Sequence, residues 1–194
     1  MKWFYNNWHK ATLALALITT AVLLVFGVEK NTAVFLIWLQ TVVYFLHQFE
    51  EYILPGGFLA FFNTKVLGSQ QSDTPLDKKA AFWINVPIIF IAFPISAYFA
   101  SSIAIGIGLW TAYFSVINAL SHVGMAFRFK YNPGLVVSLL LNIPVGLYAI
   151  FYLTTKNFVS LKENLLGLGI GLAIQLSLMI YGFLILKPRT TESS

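Results

Sequence analysis

Cysteine is absent from the 194 residues, and with it go disulfides, thiolate metal sites, thiolate-ligated haem and cysteine nucleophiles. Charge is nearly as scarce: Asp, Glu, Lys and Arg amount to 10% of the chain, against 58% hydrophobic residues. A soluble domain carries about 25% charged residues, so a soluble fold is excluded and an integral membrane protein is expected. The three histidines and seven acidic residues fall short of ferritin-like two-metal sites, which take about four carboxylates and two histidines from the bundle core, and of the histidine-rich sites of desaturases. What charge there is leans basic, at +5. The 12 Lys and Arg are scattered singly or in pairs between apolar runs, so they read as topology signals and not as a nucleic-acid footprint.

What is present is a series of apolar runs. They set out an all-helical membrane bundle of six spans, about 11–28, 32–54, 80–100, 103–127, 134–153 and 165–186, forming one domain over residues 1–194. The first is read as an uncleaved span, closed by Gly27, because its core is long for a signal peptide and no small-residue cleavage site follows it. Trp3, Phe4, Tyr5 and Trp8 ahead of it suit the headgroup level. Pro55-Gly56-Gly57 ends the second span. The segment near 56–67 is too short to cross and is expected to be interfacial or re-entrant. Thr74-Pro75-Leu76-Asp77 reads as a helix start capped by Thr74. Pro87 and Pro94 should kink or locally unwind the third span, and the polar tail from Thr190 to Ser194 is expected to be disordered.

Against this background His47-Gln48-Phe49-Glu50-Glu51 stands out. A carboxylate at the centre of a membrane helix costs about 2.5–3.5 kcal/mol, so two in succession call for a compensating proton or cation. At about 100° per residue His47 and Glu51 share a face with Tyr44 and Gln40, and Glu50 sits about 60° aside. With six spans, both termini and the 55–79 and 128–133 loops share one side. That side holds most of the Lys and Arg, and the positive-inside rule makes it cytoplasmic. The second and fourth spans both end there. Counting back from Pro55 and Arg128 at 1.5 Å per residue places His47 and His122 within about 3 Å of one another in depth. Asn85 and Asn142 fall in the same half of the bundle. Asn118, one turn before His122, is a candidate oxygen ligand, orienting group or donor to a developing oxyanion.

These residues suit a single divalent cation. His47, His122 and Glu51 as ligands with Glu50 as base is one arrangement; Glu50 as ligand with Glu51 as base is the other, and both stay open. Two histidines and a carboxylate form the ligand set of hydrolytic zinc sites, so zinc is expected first, with manganese or iron as alternatives. The expected activity is hydrolysis of a lipid-like substrate near the cytoplasmic leaflet, one glutamate taking the proton of an activated water. The plainer alternatives are that the glutamates snorkel and end the span, and that the histidines and asparagines only join helices. Arg128 and Lys130 suit an anionic headgroup, and positive-inside bias explains them equally well.

In His47-x-x-Glu50-Glu51, Asn118-Ala119-x-x-His122 and Tyr131-x-Pro133-Gly134 the sequence resembles the HXXEE-domain family of small bacterial and archaeal membrane proteins. The resemblance runs from about the second span to the fifth and implies a membrane-bound, metal-dependent enzyme. Tyr131 of the third motif is taken with Asn85 and Asn142 as support for the ligands. The family's third motif has Thr or Ser three residues after the glycine; Val137 stands there, with Ser138 next. The paired glutamates with a downstream Asn and His are also similar to the prenyl-endopeptidase family of intramembrane proteases, but that motif has an arginine where this chain has Pro55. A proton- or metal-coupled carrier is the non-enzymatic rival, and the lack of an inverted repeat argues against it.

Overall fold

A long apolar segment removed from water satisfies its backbone N–H and C=O groups within itself, and each of the six runs accordingly forms a helix. The computed structural model describes residues 1–26 and 28–192, and among these there is no strand. The helices are α1 (Lys2–Val25), α2 (Thr32–Tyr52), α3 (Phe58–Leu67), α4 (Lys78–Ser102), α5 (Leu109–Phe129), α6 (Leu135–Thr155) and α7 (Leu161–Leu186). Five of them, α1, α2, α4, α6 and α7, are long and apolar enough to cross a membrane. α5 matches them in length at 21 residues, but Asn118, Ser121 and His122 on one face dilute its hydropathy. The ten-residue α3 is the short piece expected between the second and third spans.

Several boundaries differ from the sequence reading. α1 is already helical at Lys2, so the aromatic cluster lies on the helix and not ahead of it, and Trp8 packs edge-on against Tyr52 at 4.9 Å. Gly27, Ser193 and Ser194 lie outside the described residues, and Arg189–Glu192 forms a helical turn that takes in the first part of the tail expected to be disordered. Thr74 does not cap α4. Asp77 does, accepting from Ala80 N at 2.7 Å, because Asn63 of α3 holds the preceding loop through its amide bonds to the Leu76 backbone. The two prolines leave α4 continuous, and the backbone widens to π-type winding over Val86–Ala92, which accommodates the N–H missing at Pro87.

α7 starts at Leu161, four residues before the expected point, because Ser160 and Glu163 form a reciprocal capping box. The Glu163 carboxylate accepts from Ser160 N at 2.7 Å. Ser160→Ala is expected to lower stability by about 1 kcal/mol, read as a reduced thermal midpoint in detergent with metal content unchanged.

The bundle is arranged about α2: 61% of its apolar window is buried, against 17–28% for the other four spanning helices. Leu17, Phe151, Leu166 and Leu184 face outward, while Gln40, Thr41, Ser115 and Asn142 are enclosed. Polar groups inside and apolar ones outside is the distribution suited to a lipid surround. Glycines let α5 approach its neighbours: a Cβ at Gly171 would lie 2.9 Å from Phe114 N, and one at Gly146 would lie 3.2 Å from Ala112 O. Gly167 faces Leu109, Gly171 faces Phe114 and Gln175 bonds Asn118, so α5 and α7 run parallel.

Candidate metal centre

His47 and Glu51 are one turn apart on α2 and face α5, where His122 closes the cluster. Glu51 Oε1 lies 3.5 Å from His47 Nε2 and 3.4 Å from His122 Nε2. One ligand atom from each of the three residues falls within 4.8 Å of the others, and the two imidazole rings meet edge-on with centroids 4.8 Å apart. All three side chains are buried.

The protonation pattern follows from Asn132, in the loop between α5 and α6. Its Nδ2 donates to the His122 carbonyl at 2.9 Å, which fixes the amide and turns Oδ1 toward His122 Nδ1 at 2.7 Å. An amide oxygen only accepts, so Nδ1 donates to Asn132 and Nε2 is the nitrogen turned to Glu51. An Nε2 atom this close to a carboxylate oxygen calls for a proton or a metal cation between the two. Ser138 Oγ stands 3.5 Å from His47 Nδ1, and Gln48 Nε2 donates to Glu51 Oε2 at 2.8 Å.

Three further observations fit a cation. The donor set, two imidazole nitrogens and a carboxylate, is that of zinc, manganese or iron. Gln48 Oε1 is buried without a hydrogen-bond partner, leaving an acceptor beside the cluster. Gly134 has φ +97°, and a Cβ there would lie 2.7 Å from His122 Cε1, 2.8 Å from His47 Cε1 and 3.1 Å from Glu51 Cγ. The bare backbone of Gly134 therefore forms one wall of the cradle.

The two glutamates, interchangeable in sequence, part company here. Glu50, about 100° around the helix from Glu51, points to the start of α6, where it accepts from Val136 N at 3.0 Å, Val137 N at 2.6 Å and the Tyr131 hydroxyl at 3.1 Å. The first N–H groups of a helix have no partner within it, and a carboxylate there also meets the positive end of the helix dipole. Partial burial and then the adjacent Glu50 carboxylate push the Tyr131 hydroxyl up to about 12, so it remains a donor. Glu50 is thus outside the three-residue cluster and secures the segment that carries Asn132 and Gly134.

A cavity of about 480 Å³ reaches Glu51, His122 and Gln48 from the side of α4, α5 and α7, within the usual range of small-molecule sites. Glu51 is the one carboxylate among its lining residues. Asn118 is on the same wall, but its Nδ2 donates to Gln175 Oε1 at 3.2 Å, and Gln175 Nε2 donates to Ser121 Oγ at 2.9 Å. Asn85, across the cavity, donates to the Tyr52 hydroxyl at 3.1 Å. Asn142 donates to Ser115 Oγ at 2.9 Å, one helical turn beyond Ser138. None of these three asparagines hydrogen-bonds to the cluster among the described residues; that role belongs to Asn132, a residue indistinguishable in sequence from an ordinary turn asparagine. Asn132→Ala is expected to weaken metal affinity by about 10–100-fold, the range for lost support of a ligating histidine, measured by competition with a chromogenic chelator.

A family model described as a protein of unknown function with HXXEE motif matches residues 38–149. No curated protein and no solved structure matches the chain. The matched region spans α2 to α6 and includes every residue of the cluster and its cradle.

Proposed function

The chain belongs to the family of proteins of unknown function with the HXXEE motif, and from that membership and the cluster's geometry we propose that it is a membrane-embedded, metal-dependent hydrolase of lipid-like substrates. The observation that carries the proposal is the pair of Nε2 atoms aimed at one oxygen of Glu51 in the wall of a largely apolar cavity. His47, His122 and Glu51 hold the cation, zinc first by ligand set. A divalent cation there acidifies water and stabilises negative charge developing on an oxygen. Asn132 and Ser138 fix the imidazoles, and Gln48 fixes the second carboxylate oxygen of Glu51. Glu51 is the one carboxylate on the cavity wall; with Oε1 turned to the imidazoles, its Oε2, which also accepts from Gln48, would be the oxygen to take up a proton released there. The band formed by Asn118, Ser121 and Gln175 offers polar partners to the substrate beside the ligands.

The membrane placement rests on the five long apolar helices and their outward apolar faces. Lys30, Lys156 and Lys162 lie at one end of the bundle and the remaining Lys and Arg at the other, so we assign that second end, with both termini, to the cytoplasm. A lipid-like substrate follows from a site reached within the bilayer.

The test is turnover of a fractionated membrane lipid extract by the purified protein, before and after chelation and after return of zinc, manganese or iron. Turnover lost on chelation, restored by one of these ions and absent in Glu51→Gln supports the assignment. Turnover unaffected in Glu51→Gln would refute it, and proteoliposome transport with no lipid hydrolysed would replace the hydrolase with a carrier.

A further inference from the structure

The same cavity has a direction. α5 is continuous from Leu109 to Phe129, and its lining residues run from Phe114 to Phe129; the stretch from Phe114 to Arg128 measures about 21 Å at 1.5 Å per residue. His122 divides that length into about 12 Å toward Phe114 and about 9 Å toward Arg128. The two parts differ in chemistry. Apolar side chains line both, Phe114, Ile88 and Ile89 the deep part and Phe62, Leu76 and Phe183 the other, but only one end carries cations. At that end Arg128 and Lys187 are the two cations of the lining, and because α5 and α7 run parallel they stand at the same level. Both are exposed, and no acid lies on the wall near them. Positive-inside bias accounts for basic residues at this end in general, but Lys130, two residues from Arg128, does not line the cavity.

The geometry points to an amphiphile with an anionic headgroup and an apolar chain as the occupant, its headgroup held by Arg128 and Lys187, its chain running toward Phe114, and its middle passing Glu51 and His122. An arginine and a lysine at one mouth suit a phosphate or carboxylate. The polar band of Asn118, Ser121 and Gln175 lies level with the cluster, where the polar linkage between head and chain would rest. This inference deepens the hydrolase reading by naming the substrate class, and it concerns binding, which stands whether or not turnover occurs.

The test compares binding of three lipids with the same acyl chain to the purified protein in detergent: lysophosphatidylglycerol, lysophosphatidylcholine and monoacylglycerol. A further arm adds inorganic phosphate as competitor. The wild type is expected to bind the anionic lipid at least about tenfold more tightly than monoacylglycerol, the factor for one charge-assisted contact of roughly 1.4 kcal/mol, with millimolar phosphate displacing little of it. Arg128→Ala with Lys187→Ala should erase the preference while leaving monoacylglycerol binding and metal content unchanged, and Lys130→Ala should preserve it. Glu51→Gln should keep the preference while losing metal, which separates this inference from the hydrolase reading. Equal binding of the anionic and neutral lipids by the wild type would overturn it without recourse to any variant. So would a preference that survives in the double variant, or equal displacement by free phosphate, which would mean that the chain contributes nothing.

Discussion

Gly134→Ala is expected to cut metal affinity by more than about 100-fold, beyond the roughly 10–100-fold range for losing a supporting contact to a ligating histidine. The added methyl would stand 2.7–3.1 Å from His122, His47 and Glu51 together, so all three ligands would have to move. The left-handed φ of +97° adds strain of about 1–3 kcal/mol for a non-glycine residue. Gly169→Ala is the control, since nothing lies within 4 Å of a Cβ there. Metal content after gel filtration, with circular dichroism to confirm helicity, checks the pair: the first variant loses metal and the second keeps it. Full occupancy in Gly134→Ala would mean that the cation does not sit in this cradle.

The second large effect falls on stability and separates the adjacent glutamates. Glu50→Ala leaves the N–H groups of Val136 and Val137 without the acceptor they have now. At about 1–3 kcal/mol for each buried donor left unpaired, the loss is on the order of 3 kcal/mol. Glu50→Gln retains one acceptor oxygen and should lose about half as much. Glu51→Gln, by contrast, should remove the cation and then match the metal-free wild type in stability, because what is lost beyond the bound cation is a charge between a glutamine and two imidazoles. Thermal unfolding in detergent beside metal analysis reads both quantities. A Glu50 variant of wild-type stability that had lost its metal would reverse the assignment.

Much of this was legible in the sequence, and the limits have physical causes. Helical period alone put His47 and Glu51 on one face with Glu50 to the side, and span counting brought His122 to the same depth; the rings lie 4.8 Å apart. What period could not supply was the destination of the Glu50 side chain, which depends on where the 130–134 loop delivers the first turn of α6. The same loop hides Asn132, since a turn residue and a histidine's partner look alike until the backbone brings Nδ1 to 2.7 Å. Gly134 belonged to a visible motif, but its role as a wall requires knowing what faces it. The departure at Val137 has a structural counterpart: Val137 gives its N–H to Glu50, and the hydroxyl of Ser138 faces His47. The capping box at Ser160 and Glu163 follows a known sequence pattern, but a span bounded by charge starts after Lys162 and Glu163 and so leaves the helix's first turn out.

Elemental analysis of the purified protein, with Glu50→Gln and Glu51→Gln alongside, tests the central claim most directly. The account predicts one divalent cation per chain in the wild type and in Glu50→Gln, and none in Glu51→Gln. A wild-type protein free of metal after equilibration with zinc, manganese and iron, or a cation retained in Glu51→Gln and lost in Glu50→Gln, would contradict it.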